Sequence, residues 1–266
     1  MRRFKDLFIA IFFIALYYFG TITCDNIKCN IGGYRTLAVI FNAILFVFLY
    51  FYMTRTKGKE YYNMGLTIHT AKSYLFFIPL IIISTANLWN GVGLFNRFDR
   101  LFFYIAIWGL MAINEELLFR GLLIKQLEKV SDLFAVIVCG LVFGLMHYLN
   151  LISVFDMVTT TCQVIYAGSL GILFSVIVVK GKSILPGIYT HVAFNCLVIF
   201  MKSMYVPKVF YFLSTVLISS IALLYAIYLW YNLDEYNLRE KFKEDEDMED
   251  VDCDYDEDSD LEYFEI

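Results

Sequence analysis

Eight stretches of this chain are both apolar enough and long enough to cross a lipid bilayer. Each is close to the roughly 20 residues that an α-helix needs to span the hydrocarbon core. Because 60% of the 266 residues are hydrophobic and only 3 are proline, the chain is too apolar for a water-soluble globule of ordinary makeup. We therefore expect an all-α, polytopic membrane bundle of about eight transmembrane helices, at residues 6–22, 36–53, 73–94, 101–124, 133–149, 155–179, 184–201 and 209–231.

The first apolar run follows a basic start and so shares one property with a secretory signal peptide. Its aromatic core and the lack of a small-x-small cleavage pattern instead predict an uncleaved first span. Most of the 21 basic residues fall at the N-terminus or in loops on the same side of the bundle, which by the positive-inside rule predicts that both termini are cytoplasmic. From the compactness and the Ile/Phe/Tyr-rich makeup we expect a bacterial cell membrane.

The chain divides into a membrane domain, residues 1–231, and an acidic tail, residues 232–266. The tail holds 17 of the 26 acidic residues and 3 of the 21 basic ones. Such a block of like charge cannot bury enough apolar surface to fold alone, so the tail is predicted to be disordered. A solvated tail without a specific role and a docking or regulatory segment are both compatible with this pattern.

The six cysteines show no metal-ligand spacing. Cys24 and Cys29 fall in one predicted outer loop, where a disulfide between them is compatible with the spacing. No Gly-rich phosphate loop, internal repeat or basic nucleic-acid patch is present, so we expect no nucleic-acid partner. The chemistry of the sequence is confined to the membrane domain.

Polar clusters interrupt the later apolar runs. An ionisable side chain in hydrocarbon is costly, so it normally faces a partner, a cavity or a substrate. Residues four apart lie on one helix face, and a Glu four residues before an Arg favours an ion pair. Each cluster contains two residues four positions apart. The clusters are Glu115, Glu116 and Arg120; Phe143 and His147; and His191 and Asn195.

Counting from the turns predicts that these clusters lie at one depth. Glu115 precedes the polar turn at Ser131 by as many residues as His147 follows it, and an antiparallel hairpin would set the two level. His191 lies about as far beyond the basic turn at Lys182 as Glu115 lies before the basic end of its own helix. A carboxylate, two imidazoles and an amide then converge in one partly wet cavity, a set that suits hydrolysis by an activated water.

The ordered motifs Glu115-Glu116-x-x-x-Arg120, Phe143-x-x-x-His147 and His191-x-x-x-Asn195 resemble those of the CPBP family, the CAAX protease and bacteriocin-processing (Abi) intramembrane endopeptidases. The resemblance covers residues 115–195, within a protease-like core at about 100–202. It implies an eight-helix intramembrane protease that acts on peptides or membrane-anchored proteins in the lipid bilayer. Bacterial members of this family are tied to bacteriocin maturation or self-immunity.

The resemblance also implies roles for these residues. Glu115 would be the general base that activates water, assisted by His147, while His191 and Asn195 would stabilise the oxyanion. Glu116, Arg120 and Phe143 would organise the site. In a metalloprotease scheme Glu115, His147 and His191 would instead bind a divalent metal such as zinc and leave one position for water. The sequence favours neither scheme.

The chain departs from the family pattern at one position. Where some relatives carry an Asn one turn after the first His, this chain has Leu151, and Asn150 is out of phase on an α-helix. Two other functions are compatible with the same residues. One is a non-catalytic membrane partner or bacteriocin self-immunity protein, and the other is a transporter that uses the buried carboxylates, for which no inverted repeat is evident.

Overall fold

A computed structural model of the chain describes residues 2–27, 35–64, 76–89, 91–93, 98–152, 156–201 and 208–233. The expected all-α fold is confirmed, since the described residues contain no strand beyond an isolated bridge between Val92 and Met201. The helices in chain order are α1 (Arg2–Asn26), α2 (Thr36–Thr56), α3 (Ile78–Ser84), α4 (Phe98–Glu116), α5 (Ile124–Leu127), α6 (Asp132–Met146), α7 (Met157–Gly181), α8 (Leu185–Leu197) and α9 (Lys208–Asn232).

Within the described residues, 6 helical stretches are long and apolar enough to cross a membrane. They are α1, α2, α4 continued through α5, α6 with its extension to Ile152, α7 and α9. The other two predicted spans are shorter where they are described. Helix α3 has 7 residues, and α8 with its extension covers Leu185–Phe200. The chain is therefore an integral membrane protein built as a polytopic helical bundle.

The helical path does not stop at Glu116, where α4 ends, but continues with a wider turn. Leu117–Leu123 form a π-helical segment that joins α4 to α5, and all of its side chains are buried. Single π-helical turns inside α-helices are frequent at functional sites because they re-aim the neighbouring side chains. This segment carries Arg120 immediately after the two glutamates.

Helices α6 and α7 pack with their backbones in close contact. A Cβ atom added at Gly140 would lie 2.7 Å from the backbone nitrogen of Ile172, and one at Gly144 would lie 2.7 Å from the carbonyl oxygen of Val164. Small residues at this spacing let membrane helices approach, so that van der Waals contacts can hold them together. The glycines thus fix α6, which carries Phe143 and His147, against α7.

Two asparagines outside α8 fix the position of that helix. Asn63 has a left-handed backbone, with φ 55°, and its carbonyl oxygen accepts a hydrogen bond from the Ile184 N–H at 2.9 Å. Near the other end, Nδ2 of Asn87 donates to the carbonyl oxygen of Phe194 at 2.6 Å. Because α8 is only 13 residues long, these anchors determine where His191 lies.

Candidate active site

Glu116 and Arg120 form the buried ion pair that their spacing predicts. Nη1 of Arg120 donates to Oε1 of Glu116 at 3.1 Å, and both side chains are 0% exposed. Taking two charges out of water is costly, and their mutual attraction offsets the cost only where further contacts support both groups. The surroundings of the pair therefore decide whether it is tolerated.

An aromatic cage surrounds the Arg120 guanidinium. Its carbon lies 4.3 Å from the ring centre of Phe143, 5.6 Å from that of Phe174 and 5.9 Å from that of Phe119. Cation–π attraction is strongest where the cation is desolvated, as it is here. Nε and Nη2 of Arg120 have no hydrogen-bond partner in the part of the chain that the structure describes, so the rings are their main contacts. Phe143, predicted to organise the site, covers Arg120 with its ring.

His191 lies between the two glutamates. Its Nδ1 is 2.9 Å from Oε1 of Glu116, and its Nε2 is 3.6 Å from Oε2 of Glu115. An ionised carboxylate only accepts hydrogen bonds, so Nδ1 carries the proton and donates to Glu116. Glu116 thereby sets the tautomer and the orientation of the imidazole, and Nε2 is left facing Glu115.

Glu115 has a partner that sequence reasoning missed. The hydroxyl group of Tyr17, on α1, donates to Oε1 of Glu115 at 2.7 Å, and the two residues are 1% and 6% exposed. An aromatic residue inside an apolar run is common in membrane helices, so no signal in a single sequence singles out Tyr17. The contact leaves Oε2 as the Glu115 oxygen on the His191 side.

A pair of buried amides lies next to Glu115 and was also missed. Nδ2 of Asn114 donates to the carbonyl oxygen of Asn42 at 2.9 Å and to Oδ1 of Asn42 at 3.1 Å, and both residues are 0% exposed. Amides that bond across helices hold membrane bundles together. A signal existed for Asn42, since it is a polar residue inside an otherwise apolar run. The pair ties α2 to the end of α4 that carries Glu115.

The structure brings His147 to the same cluster through Phe143. The ring of Phe143 lies 5.1 Å from the ring of His147 and 5.8 Å from that of His191, measured between centres. Nδ1 of His147 is 3.0 Å from the carbonyl oxygen of Phe143, so Nδ1 donates and Nε2 keeps its lone pair. His147 is half-buried at the end of α6, where it is less enclosed than His191.

The two asparagines considered from the sequence lie in different settings. Asn195 is half-buried one turn after His191, and its side chain makes no hydrogen bond with any residue in the described ranges. The prediction that Asn150 is out of phase with His147 assumed an α-helix and is wrong. His147–Ile152 form a 3₁₀ helix, in which residues three apart share a face. Nδ2 of Asn150 donates to Oε1 of Gln163 at 2.9 Å.

The structure also locates the three predicted metal ligands. Among the described residues, no group of three or more His, Cys, Asp or Glu side chains is placed to hold a metal ion. Nδ1 of His191 contacts Glu116 and Oε1 of Glu115 contacts Tyr17, which leaves Nε2 of His191 and Oε2 of Glu115 as the atoms that a metal would meet. A metal held by Glu115, His147 and His191 stays a prediction.

Some sequence predictions concern residues outside the described ranges. Cys29, the proposed partner of Cys24, is one of them, and the acidic tail beyond Leu233 is another. The disulfide and the disorder of the tail stay predictions.

Comparison with known proteins gives one family. Residues 97–197 match the family model described as type II CAAX prenyl endopeptidase Rce1-like. The matched range contains every motif residue from Glu115 to Asn195, whereas Tyr17 and Asn42 lie outside it. No curated protein and no solved structure matches the chain. The resemblance to the CPBP family is thus confirmed for residues 97–197, which are similar to the Rce1-like family.

Proposed function

We propose that this protein is an intramembrane endopeptidase that hydrolyses peptide bonds of membrane-anchored, lipidated or CAAX-like peptides through a water activated by Glu115. The observation that carries the proposal is the position of His191, with one ring nitrogen 2.9 Å from Glu116 and the other 3.6 Å from Glu115. Two carboxylates of unequal surroundings joined by an imidazole suit proton transfer to and from a substrate. The Rce1-like match supports the same reaction class.

Glu115 acts as the general base. Its Oε1 accepts the Tyr17 hydrogen bond, so Oε2 is the oxygen that removes a proton from the water. The resulting hydroxide attacks the carbonyl carbon of the scissile peptide bond and forms a tetrahedral oxyanion. A well-placed general base contributes about 10²- to 10⁴-fold to such a step.

His191 moves the proton onward. Glu116 holds the Nδ1 proton, so Nε2 is the nitrogen that accepts the proton from Glu115 Oε2 once the hydroxide has left the 3.6 Å gap and the two groups approach, and Glu116 stabilises the imidazolium that forms. A carboxylate that orients a catalytic imidazole in this way is a recurrent device in hydrolases. The imidazolium then donates a hydrogen bond to the oxyanion and finally gives its proton to the leaving amine, so His191 stabilises the oxyanion only in its protonated form.

His147 and Asn195 complete the site from its less enclosed side. Nδ1 of His147 is held by the Phe143 carbonyl, which leaves Nε2 as the nitrogen that assists in proton transfer from the water. The Asn195 amide, one turn from His191, donates to the oxyanion. Donors placed where charge develops act strongly in a site that excludes bulk water.

An apolar groove supports a substrate that approaches from the lipid. The groove, of about 290 Å³, lies between α3 and α8 and is lined by residues that include Leu80, Ser84, Thr190 and Ala193. Thr190 directly precedes His191 in the chain. The site residues themselves do not line this groove, and lateral entry of a lipid- or membrane-anchored substrate through it is part of the proposal.

The test is cleavage of a panel of membrane-anchored and prenylated peptides by the purified full-length protein. Glu115→Gln should lower cleavage by about 10²- to 10⁴-fold, because an amide cannot accept the proton, while the shape of the side chain is kept. The matched control is Glu128→Gln, which removes a carboxylate whose contact is Lys125 at 2.9 Å, away from the site. Activity of the control with loss in Glu115→Gln supports the proposal, and equal activity in both variants refutes it.

A chelator added to the same assay distinguishes the two schemes for the water. Resistance to the chelator is expected if Glu115 activates the water without a metal, and loss of cleavage would favour the metal scheme. If wild type cleaves no peptide in the panel and Glu115→Gln retains its function in cells, the protein is a non-catalytic membrane partner, a reading that the family match does not favour.

The orientation in the membrane is part of the proposal. The basic loops place both termini in the cytoplasm, and the expected location is the bacterial cell membrane. In a variant whose six native cysteines are replaced, single cysteines introduced near each terminus should be protected from an impermeant thiol reagent in intact cells and become reactive after lysis. Labelling of either terminus in intact cells would reverse the orientation.

A further inference from the structure

Helix α1 reaches the catalytic cluster through one hydroxyl group. Tyr17 donates to Oε1 of Glu115 at 2.7 Å, with both side chains buried. We propose that Tyr17 is a positioning residue, which holds the Glu115 carboxylate so that Oε2 meets the attacking water. This inference rests on the proposed function and extends the site beyond the matched range 97–197.

The geometry explains why Glu115 needs to be held. Oε2 of Glu115 and Nε2 of His191 are 3.6 Å apart, too far for a direct hydrogen bond yet close enough for one water to contact both. A carboxylate free to rotate would close this gap and pair with the imidazole. The two groups would then satisfy each other, and the water would be excluded. The Tyr17 hydrogen bond opposes this movement, because it holds Oε1 of Glu115 from helix α1.

Tyr17 is itself well fixed for this role. It is 1% exposed, and its ring packs edge to face on the ring of Tyr18, with centres 4.8 Å apart. Helix α1 contacts α2, α5 and the π-helical segment after Glu116. A hydrogen bond from a neutral hydroxyl to a carboxylate is stronger than one between neutral groups, and burial strengthens it further.

The neighbouring tyrosine provides a matched control. The Tyr18 hydroxyl is buried and has no hydrogen-bond partner among the described residues. Tyr17→Phe and Tyr18→Phe each remove one buried hydroxyl from adjacent positions of one helix. Only Tyr17→Phe removes a hydrogen bond to Glu115.

The experiment measures kcat and KM for a cleaved peptide in wild type, Tyr17→Phe, Tyr18→Phe, Glu115→Gln and the double variant Tyr17→Phe/Glu115→Gln. Tyr17→Phe should lower kcat by about tenfold or more and leave KM within about twofold, because the lost hydrogen bond orients the base and does not bind substrate. Tyr18→Phe should match wild type. In the Glu115→Gln background Tyr17→Phe should change the residual rate no further.

A second measurement does not depend on cleavage. The infrared difference spectrum between wild type and Glu115→Gln isolates the carboxyl band of Glu115. The same band in the Tyr17→Phe background comes from the difference between Tyr17→Phe and the double variant, and it should be shifted there, whereas Tyr18→Phe should leave it in place. An unshifted band, equal kcat values in the two Tyr→Phe variants, or a further loss in the double variant overturns the inference. If wild type cleaves no peptide and Glu115→Gln keeps its function in cells, the proposed function is refuted and with it a catalytic role for Tyr17, while the band still decides the contact.

Discussion

Glu115 and Glu116 are adjacent in the sequence, yet they lie on two different sides of the site. Glu116 belongs to a closed side, with Arg120, Phe143 and Phe174, where it is 0% exposed and receives hydrogen bonds from Arg120 and His191. Glu115 belongs to an open side, with the half-buried His147 and Asn195. Consecutive residues of an α-helix point about 100° apart, so one helix end can supply both sides.

The difference indicates a division of labour. On the closed side the buried charges of Glu116 and Arg120 pair with each other, so removing one of them leaves the other buried and unpaired. On the open side Oε2 of Glu115 and Nε2 of His147 are not committed to an internal hydrogen bond of that kind. We therefore expect substitutions on the closed side to reduce stability and activity together, and substitutions on the open side to reduce activity alone.

The largest effect on stability is expected for Arg120→Met. The change keeps an unbranched apolar side chain under the aromatic rings and leaves Glu116 buried without its cation, which should lower the free energy of unfolding by about 3–5 kcal/mol. Unfolding in detergent, followed by tryptophan fluorescence, measures it. Lys208→Met is the control, because Lys208 and its partner Asp156, 3.3 Å apart, form an exposed pair that should contribute little to stability. Equal effects of the two variants would remove the distinction between the sides.

His147→Gln tests the open side. Glutamine keeps an amide donor for the Phe143 carbonyl and loses the basic Nε2, so cleavage should fall about a hundredfold while the free energy of unfolding changes by less than about 1 kcal/mol. Peptide cleavage and detergent unfolding of the same preparation check both parts. A parallel fall in stability would assign His147 to the closed side.

Gly140→Ala tests whether the closed side depends on the contact between α6 and α7. The added methyl group would lie 2.7 Å from the Ile172 backbone nitrogen, so α6 must move, and Phe143 would shift from its place 4.3 Å above Arg120. We expect a loss of about 1–3 kcal/mol in the free energy of unfolding.

The control for Gly140→Ala is Gly109→Ala in α4. The nearest atoms to a Cβ there are 3.9 Å away, so the methyl group fits, and the higher helix propensity of alanine should raise stability slightly. Unfolding measured side by side gives the comparison. If both variants are destabilised alike, close packing of α6 on α7 is not what holds the cage.

The parts of the site that could be predicted from the sequence are those set by spacing along one helix or by distance from a turn. Glu116 and Arg120 pair across four residues. Ser131, from which depth was counted, does begin a helix, where it accepts a hydrogen bond from the Phe134 N–H at 3.2 Å. Both inferences need only regular helix geometry.

Contacts made across the bundle, and departures from regular helices, could not be predicted in this way. Tyr17 contacts Glu115 although the two residues are 98 positions apart in the sequence. The two residues that follow Tyr17, Tyr18 and Phe19, are aromatic as well. The relation of Asn150 to His147 was mistaken because the chain there narrows to a 3₁₀ helix. Neither tertiary contacts nor local tightening of a helix leaves a periodic signal in one sequence.

The smallest effect is expected far from both sides, at the start of α7. Asp156 accepts hydrogen bonds from the side chain and backbone of Thr159, which lower the pKa of the Asp156 carboxyl from 3.8 to about 2, with smaller contributions from Lys208 and the Val158 N–H. A carboxyl whose pKa is lower in the folded state stabilises the fold above pH 3.8, and this contribution is lost as the pH falls toward 2.

Asp156→Asn keeps a capping acceptor without the charge, so its melting temperature should lie slightly below that of wild type at pH 6 and should meet it near pH 2. Because the cap is exposed and α7 is held by its glycine contacts with α6, peptide cleavage at neutral pH should be unchanged. A loss of cleavage in Asp156→Asn would mean that the end of α7, and not its packing, controls the position of Phe174 over Arg120.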